Sequence, residues 1–453
     1  MTKTKITKLA SLLIIIPLLG LGCKGGADSA VSGSALAPVD INYWRVFDEP
    51  SDFTSVISAF KQRYPHINVK VRKLRLEEYE DAIIRALAEG NGPDIVSIHT
   101  TWLKQYQNLL DAMPSSVTLP TTVSDGKSLS VALQTNKLPT ARDLRAGFVD
   151  TVADDVTLNG VIYGLPLGVD TLALYYNRQL LNQANIASPP STWEEFKTQV
   201  KQLTIQDRNG NIIQSGASLG GSRNINRAPD IVAALMMQNG TEMTRGNSVT
   251  FNQIPSTVLD EAVAPGRDAL RFYSDFASPS KEVYTWNENL PESLNAFANQ
   301  QSAFFFGYSY HLPLIRSLSP GIDVEITKLP QISTTGRQAN IANYWLESVT
   351  KQSKHKNEAW GFIQFATSES GVTSFLTQSN KPTALRTLIA SQRGNSELAP
   401  FADQLLTAQT WYKGGNAPSM EEAMRVMIEK VTSGALTPGE AISEAASTIN
   451  LTY

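Results

Sequence analysis

Few side chains in this chain are of the types that make or break covalent bonds. Its 453 residues contain one cysteine, Cys23, so no intramolecular disulfide can form. The four histidines, His66, His99, His311 and His355, show no spacing that would gather them on one metal ion. No His-Glu-x-x-His sequence occurs, and no cysteine lies in the body of the chain to act as a nucleophile. The chemistry on offer is of another kind. Aromatic rings and polar side chains recur together: Trp44 with Arg45 and Asp48, His99 with Thr101 and Trp102, Tyr308 with Tyr310, Tyr344 with Trp345. Rings can stack on the CH face of a pyranose, while carboxylates, amides and guanidinium groups bond directionally to hydroxyls.

Cys23 has its own context. Lys3, Lys5 and Lys8 precede the apolar run Leu12–Pro17, and Leu18-Leu19-Gly20-Leu21-Gly22 leads into the thiol. A basic start, an apolar stretch and small residues form a secretory signal with its cut site. The cysteine after the cut resembles a bacterial lipobox, with Gly20 where Leu is usual. In a lipobox the thiol takes a diacylglycerol and becomes the new N-terminus, tethering the protein to a membrane. An ordinary signal peptide with an incidental cysteine is the alternative. Residues 23–38 are small and polar and read as a flexible tether.

Composition bounds the rest. Apolar residues make up 42% and charged residues 18%, ordinary for a globular protein. The chain has 39 basic side chains; without the three lysines before Cys23, 36 remain against 42 acidic ones, a net of −6. That balance gives no general attraction to nucleic acid or anionic lipid. No later hydrophobic run approaches a bilayer span.

The elements that would position these side chains alternate strand and helix. Val39–Trp44, Ile67–Val71 and Pro93–Ile98 read as strands. Helices with apolar faces lie between them, over Phe53–Tyr64 and Leu76–Ala88. Three β-α units predict a parallel, doubly wound α/β sheet. Pro114–Thr140, rich in Ser, Thr and Pro, reads as an insertion or long loop. Asn159-Gly160 predicts a tight turn between two short strands. Thr192 and Glu195 form a capping box at the start of a helix.

Several segments, in order, resemble the family 1 extracellular solute-binding proteins of ABC importers, the group of maltose- and multiple-sugar-binding proteins. They are Phe60–Val69, Gly92-Pro93-Asp94-Ile95-Val96, Asn159–Pro166, Leu174-Tyr175-Tyr176-Asn177, Pro190–Phe196, Gln301–Gly307 and Glu358–Phe365. The resemblance implies an α/β, two-lobe periplasmic-binding-protein fold (type II), hinged, with the ligand cleft between the lobes. Lobe one would comprise 39–167 and 329–379, and lobe two 172–324 and 382–453. The hinge crossings would lie at 168–171, 325–328 and 380–381.

The resemblance also implies where ligand contacts fall. In the first lobe they are Trp44, Arg45, Asp48, His99, Thr101 and Trp102, with Asp170 at a crossing. In the second they are Arg223, Asn224, Trp286, Tyr308 and Tyr310, joined by Tyr344, Trp345 and Trp411. Core packing, helix capping or a plain surface turn is the competing role at each. The expected function is capture of a solute, a sugar or oligosaccharide, by a lipid-anchored monomer facing the periplasm or cell exterior. It would deliver that solute to an importer permease, without catalysis, cofactor, metal or nucleic acid. A lipid-anchored carbohydrate-active enzyme and a non-transport scaffold are the alternatives.

Overall fold

The computed structural model describes residues 36–124, 129–256, 258 and 263–453. Cys23 and the signal and tether segments before residue 36 lie outside the described residues.

The first sheet is built by the expected β-α units. Strands Val39–Arg45, Ile67–Lys73 and Ile95–His99 run parallel. A late strand, Trp345–Val349, joins antiparallel beside Ile95–His99, with Trp345 opposite His99. Ile95 to Ile98 are buried, as a strand covered on both faces must be. Helix Thr54–Arg63 buries Val56 and Phe60 and stops at Tyr64, whose backbone is non-helical immediately before Pro65.

The second sheet has five strands, in the order Ile205–Gln206, Ile212–Ala217, Ser302–Gly307, Ala173–Asn177 and Val324–Lys328. Every residue of its central strand Ser302–Gly307 is buried. One face packs on helix Trp193–Leu203 through Phe196, which meets Phe304 and Phe306. The other face carries Tyr175, Phe305, Phe297 and Phe401. Thr192 caps that first helix as expected: its Oγ1 accepts from Glu195 N at 3.2 Å, and the Glu195 carboxylate accepts from Thr192 N at 3.3 Å. At Asn159 and Gly160, φ is 51° and 80°, the two left-handed residues that a two-residue hairpin turn requires.

Two expectations about organisation need correction. The Ser/Thr/Pro-rich segment is an antiparallel hairpin, Ser116–Ser124 with Leu129–Lys137. Threonine and valine favour extended backbone, and Val117 and Leu119 point inward onto helix Lys356–Ala366. The crossings also differ. Val324–Lys328 pairs along its whole length with Ala173–Asn177, so it is an edge strand of the second sheet rather than a connection. Leu329, Ala339 and Ile341 stay in the second apolar core. Residues 380–381 do not cross either, because Leu376, Ala384, Leu385 and Ile389 on both sides of them lie in the first core. The chain passes between cores in a small three-stranded sheet, Asp170–Thr171, Asn340–Asn343 and Ala408–Gln409. Only the first of the three expected crossings falls there.

Candidate functional site

A cavity of about 490 Å³ opens between the two cores, bounded on one side by this small connecting sheet. Its first-core wall grows from the end of strand Val39–Arg45. Side chains alternate along a strand, so Tyr43 and Arg45 face the interior together while Trp44 points the other way. Arg45, 4% exposed, donates to Tyr43 Oη at 2.5 Å and pairs with Asp48 and Glu347. Tyr43 Oη and Ser97 Oγ donate to Glu347 Oε2 at 2.5 and 2.6 Å. Lys381 adds a second cation to Asp48. Burial opposes charge on Asp48, yet the Arg45 guanidinium and the Lys381 ammonium hold its carboxyl below the usual range. Burial pushes the Glu347 carboxyl up. This ionic network frames the cavity.

Trp345 is the centre of an aromatic wall. The rings of Trp102, His99 and Phe47 meet it edge-on at 5.2, 5.3 and 5.8 Å. His99 lies between Thr101 Oγ1 at 2.7 Å and Asn343 Oδ1 at 3.3 Å, and burial pushes its imidazole down to about 4. From the second core, Tyr310 reaches across and stacks on Phe47 at 5.9 Å with 9° between ring planes. Arg227 also lines the cavity, paired with Asp230 and Glu421. Helix Leu76–Ala88 turns Glu77, Glu80 and Asp81 toward the opening, since residues three and four apart share a face.

Of the expected residues, Arg45, Asp48, His99, Thr101, Trp102, Asp170, Tyr310, Tyr344 and Trp345 line this cavity. Their availability differs. Tyr344 is 3% exposed and gives its hydroxyl to Asp155 at 2.6 Å. Asp170 accepts three hydrogen bonds from the protein itself.

The others lie elsewhere, each for a definite reason. Trp44 sits under Arg72, whose guanidinium is 4.8 Å from its ring. Arg223 is on the surface between Glu422 and Glu429. Asn224 Oδ1 accepts from the indole of Trp286, a fully buried side chain, so both belong to the second core. Tyr308 is also fully buried and donates to Asp230 at 2.6 Å. Trp411, 8% exposed, packs edge-on against Phe251.

Phe47, Arg227, Lys381 and the acidic helix face were not anticipated. Phe47 stands between two expected residues, but an apolar ring in a loop reads as core. Arg227 lies four residues beyond the arginine that was expected. The acidic face has the periodicity of a solvated helix surface.

One serine-nucleophile pattern does occur, Gly216-Ala217-Ser218-Leu219-Gly220. Ser218 is 1% exposed and donates to Ser302 Oγ at 2.9 Å. It has no imidazole partner among its hydrogen bonds and does not reach the cavity. Among the described residues no group of His, Cys, Asp and Glu could hold a metal ion. No described helix is long and apolar enough to cross a membrane. The cavity presents ring faces and carboxylates to whatever enters, an arrangement suited to holding a polyhydroxylated molecule.

A family model described as bacterial extracellular solute-binding protein matches residues 47–373. A binding protein of Brucella abortus (strain 2308) is 24% identical over 151 residues, 33% of this chain and 32% of its own length. The chain therefore matches about a third of that relative. The galactooligosaccharide-binding protein of Bacillus subtilis (strain 168) is 20% identical over 437 residues, 95% of this chain and 93% of its own. Among solved structures, the cyclic α-maltosyl-1,6-maltose binding protein from Arthrobacter globiformis superposes with a TM-score of 0.70 at 15% identity. That match covers 92% of this chain and 99% of the other.

Proposed function

Because this chain belongs to the bacterial extracellular solute-binding protein family, we propose that it captures a neutral sugar or oligosaccharide and hands it to an ABC importer. The observation that carries this reading is the pairing of ring faces with carboxylates in one inter-core cavity. Trp345 and Phe47 offer rings from one side and Tyr310 from the other. Carboxylates line the opening between them. About 490 Å³ lies within the range that small-molecule sites occupy. The three short strands between the cores act as the hinge, and closure buries the solute. Cys23 carries the lipid that keeps the protein, a monomer, at the membrane beside the permease. The protein performs no chemistry on its solute.

A thermal-shift screen over neutral mono- and oligosaccharides tests this reading. A solute present at a thousand times its dissociation constant stabilises the fold by about 4 kcal/mol. Chromatography after incubation should return that sugar unchanged. Turnover would make the protein an enzyme, and the absence of a shift with any sugar would leave a scaffold.

A further inference from the structure

Asp170 occupies an unusual place. It lies in the strand Asp170–Thr171 that passes between the two cores, and its backbone is in register with Asn343. Two residues after Asn343 comes Trp345, the centre of the aromatic wall. The Asp170 side chain points the other way along this connection, into the second core's loop. Its Oδ2 accepts from Ser309 N at 2.9 Å and from Ser309 Oγ at 2.6 Å. Its Oδ1 accepts from Thr171 N at 2.8 Å. Ser309 immediately precedes Tyr310, whose ring faces Phe47 across the cavity. One residue thus touches both faces of the site, through its pairing with Asn343 on the segment that leads to Trp345 and through its carboxylate on the loop that carries Tyr310.

We propose that Asp170 is a positioning residue for solute capture, holding the Ser309–Tyr310 loop so that the Tyr310 ring faces the Trp345 wall. This rests on the sugar-binding reading above but assigns Asp170 a role through Tyr310 rather than through the solute. A carboxylate has about four acceptor positions, and three of the four on Asp170 are already filled by the protein. Helix capping alone is a weaker account. The first amides of helix His311–Leu318 are already satisfied by backbone, His311 N donating to Tyr308 O at 3.0 Å and Leu312 N to Ser309 O at 3.3 Å.

The arrangement has a pH consequence. Burial pushes the Asp170 carboxyl up to about 6, although Ser309, Thr171 and Lys381 all favour its charged form. Lys381 approaches from the first core. Tyr175 on the neighbouring strand and Tyr310 on the held loop are both pushed up by burial, so they stay neutral. His99 and His311 are pushed down by burial, to about 4 and about 3. Below pH 6 a proton on Asp170 turns an acceptor into a donor. The Ser309 hydroxyl can reverse its role, but the Ser309 amide cannot, so it is left with a neutral and weaker acceptor.

The test uses the full chain and, as probe, whichever of maltotriose, maltotetraose and a galacto-oligosaccharide gives the largest thermal shift. Calorimetric titrations at pH 5 and 7.5 compare wild type, Asp170→Asn, Tyr310→Ala and the double variant. Wild-type affinity is expected to fall about tenfold toward pH 5, the scale of one charge-assisted hydrogen bond. Asp170→Asn should bind weakly at both pH values, and it should cost nothing further once Tyr310 is alanine. Additive losses would mean that Asp170 touches the solute directly, which overturns the proposal. So would an Asp170→Asn variant that binds as tightly as wild type or keeps its pH dependence. Hydrogen exchange over residues 302–318 provides a readout without any sugar. Protection corrected for intrinsic rate should drop in Asp170→Asn, and unchanged protection also overturns the proposal. If no sugar binds, the functional reading fails while the exchange result still decides the role of Asp170.

Discussion

At the scale of single residues, Phe47 shows how this site is held. Its φ is 66°, a region that bulky residues rarely enter, and Asp48 N donates to Val46 O at 2.8 Å across it. This is the three-residue γ-turn in its strained, positive-φ form. The strain persists because the Arg45–Asp48–Lys381 network fixes the residue that follows. The result is a ring, 45% exposed, projected into the cavity. Phe47→Ala and Phe47→Gly remove the same ring contacts, but only glycine relaxes the backbone. Thermal unfolding should find the glycine variant more stable than the alanine variant by about 1 kcal/mol. Equal stabilities would mean that the turn is unstrained.

Trp345→Ala should weaken sugar binding by roughly 1–3 kcal/mol, the scale of base stacking on aromatic platforms. Asp170 contributes to stability as well as to binding. Its folded-state pKa of about 6 lies above the ordinary 3.8. The stability this raised value contributes is full below about pH 3.8 and is lost as pH rises through about 6. Asp170→Asn should therefore gain on wild type by about 1–3 kcal/mol between pH 4 and 7.5, measured by denaturant unfolding. A gap that stays constant with pH would contradict the raised pKa. Much of this scale was hidden in the sequence. The positions Arg45, His99, Trp102, Tyr310 and Trp345 were legible because they lie at the ends of strands or a few residues beyond them. Whether a tryptophan faces a cavity or a core depends on tertiary packing, and Trp286 and Trp411 went to the core.

At the scale of elements, local chemistry was legible and long-range pairing was not. The Thr192–Glu195 capping box and the Asn159-Gly160 turn are decided by neighbours in sequence. Thr192→Ala should lower stability by about 1 kcal/mol. Sugar affinity should not change, because this helix packs behind the second sheet. A large loss of affinity in calorimetry would show that the helix reaches the site. The pairing of Ser116–Ser124 with Leu129–Lys137 was hidden because its alternation is weak, with polar threonines such as Thr118 and Thr135 at exposed positions. Its register depends on helix Lys356–Ala366, more than two hundred residues later in the chain. There Gly361 leaves room for Leu119, whose Cδ1 would lie 2.5 Å from an added Cβ. The crossings were misread for a related reason. A short strand between two cores and an edge strand of one sheet have the same local pattern, and only pairing partners separate them.

At the scale of the whole molecule, the cavity has a charge as well as a shape. The two-core α/β architecture was readable from strand–helix alternation and the order of motifs. The sign of the cavity was not, because it depends on which cations are already paired. Seven carboxylates line it, those of Asp48, Glu77, Glu80, Asp81, Asp170, Glu347 and Glu421, against the three cations Arg45, Arg227 and Lys381. Each of those cations already has a carboxylate partner, so none is free to meet an anion. Carboxylates accept hydrogen bonds from sugar hydroxyls but repel a charged acid, and an enclosed cleft strengthens that repulsion. A neutral oligosaccharide should therefore bind at least about tenfold more tightly than the same chain with a uronate at one end, one unfavourable charge contact being worth upwards of 1 kcal/mol in a partly buried site. Raising the ionic strength from about 0.05 to about 0.5 M should narrow the gap by screening the rim carboxylates Glu77 and Asp81. Calorimetric titration of the matched pair at both ionic strengths measures this. Equal affinities would mean that the carboxylates do not face the bound solute, and the sugar would then be held by the aromatic wall alone.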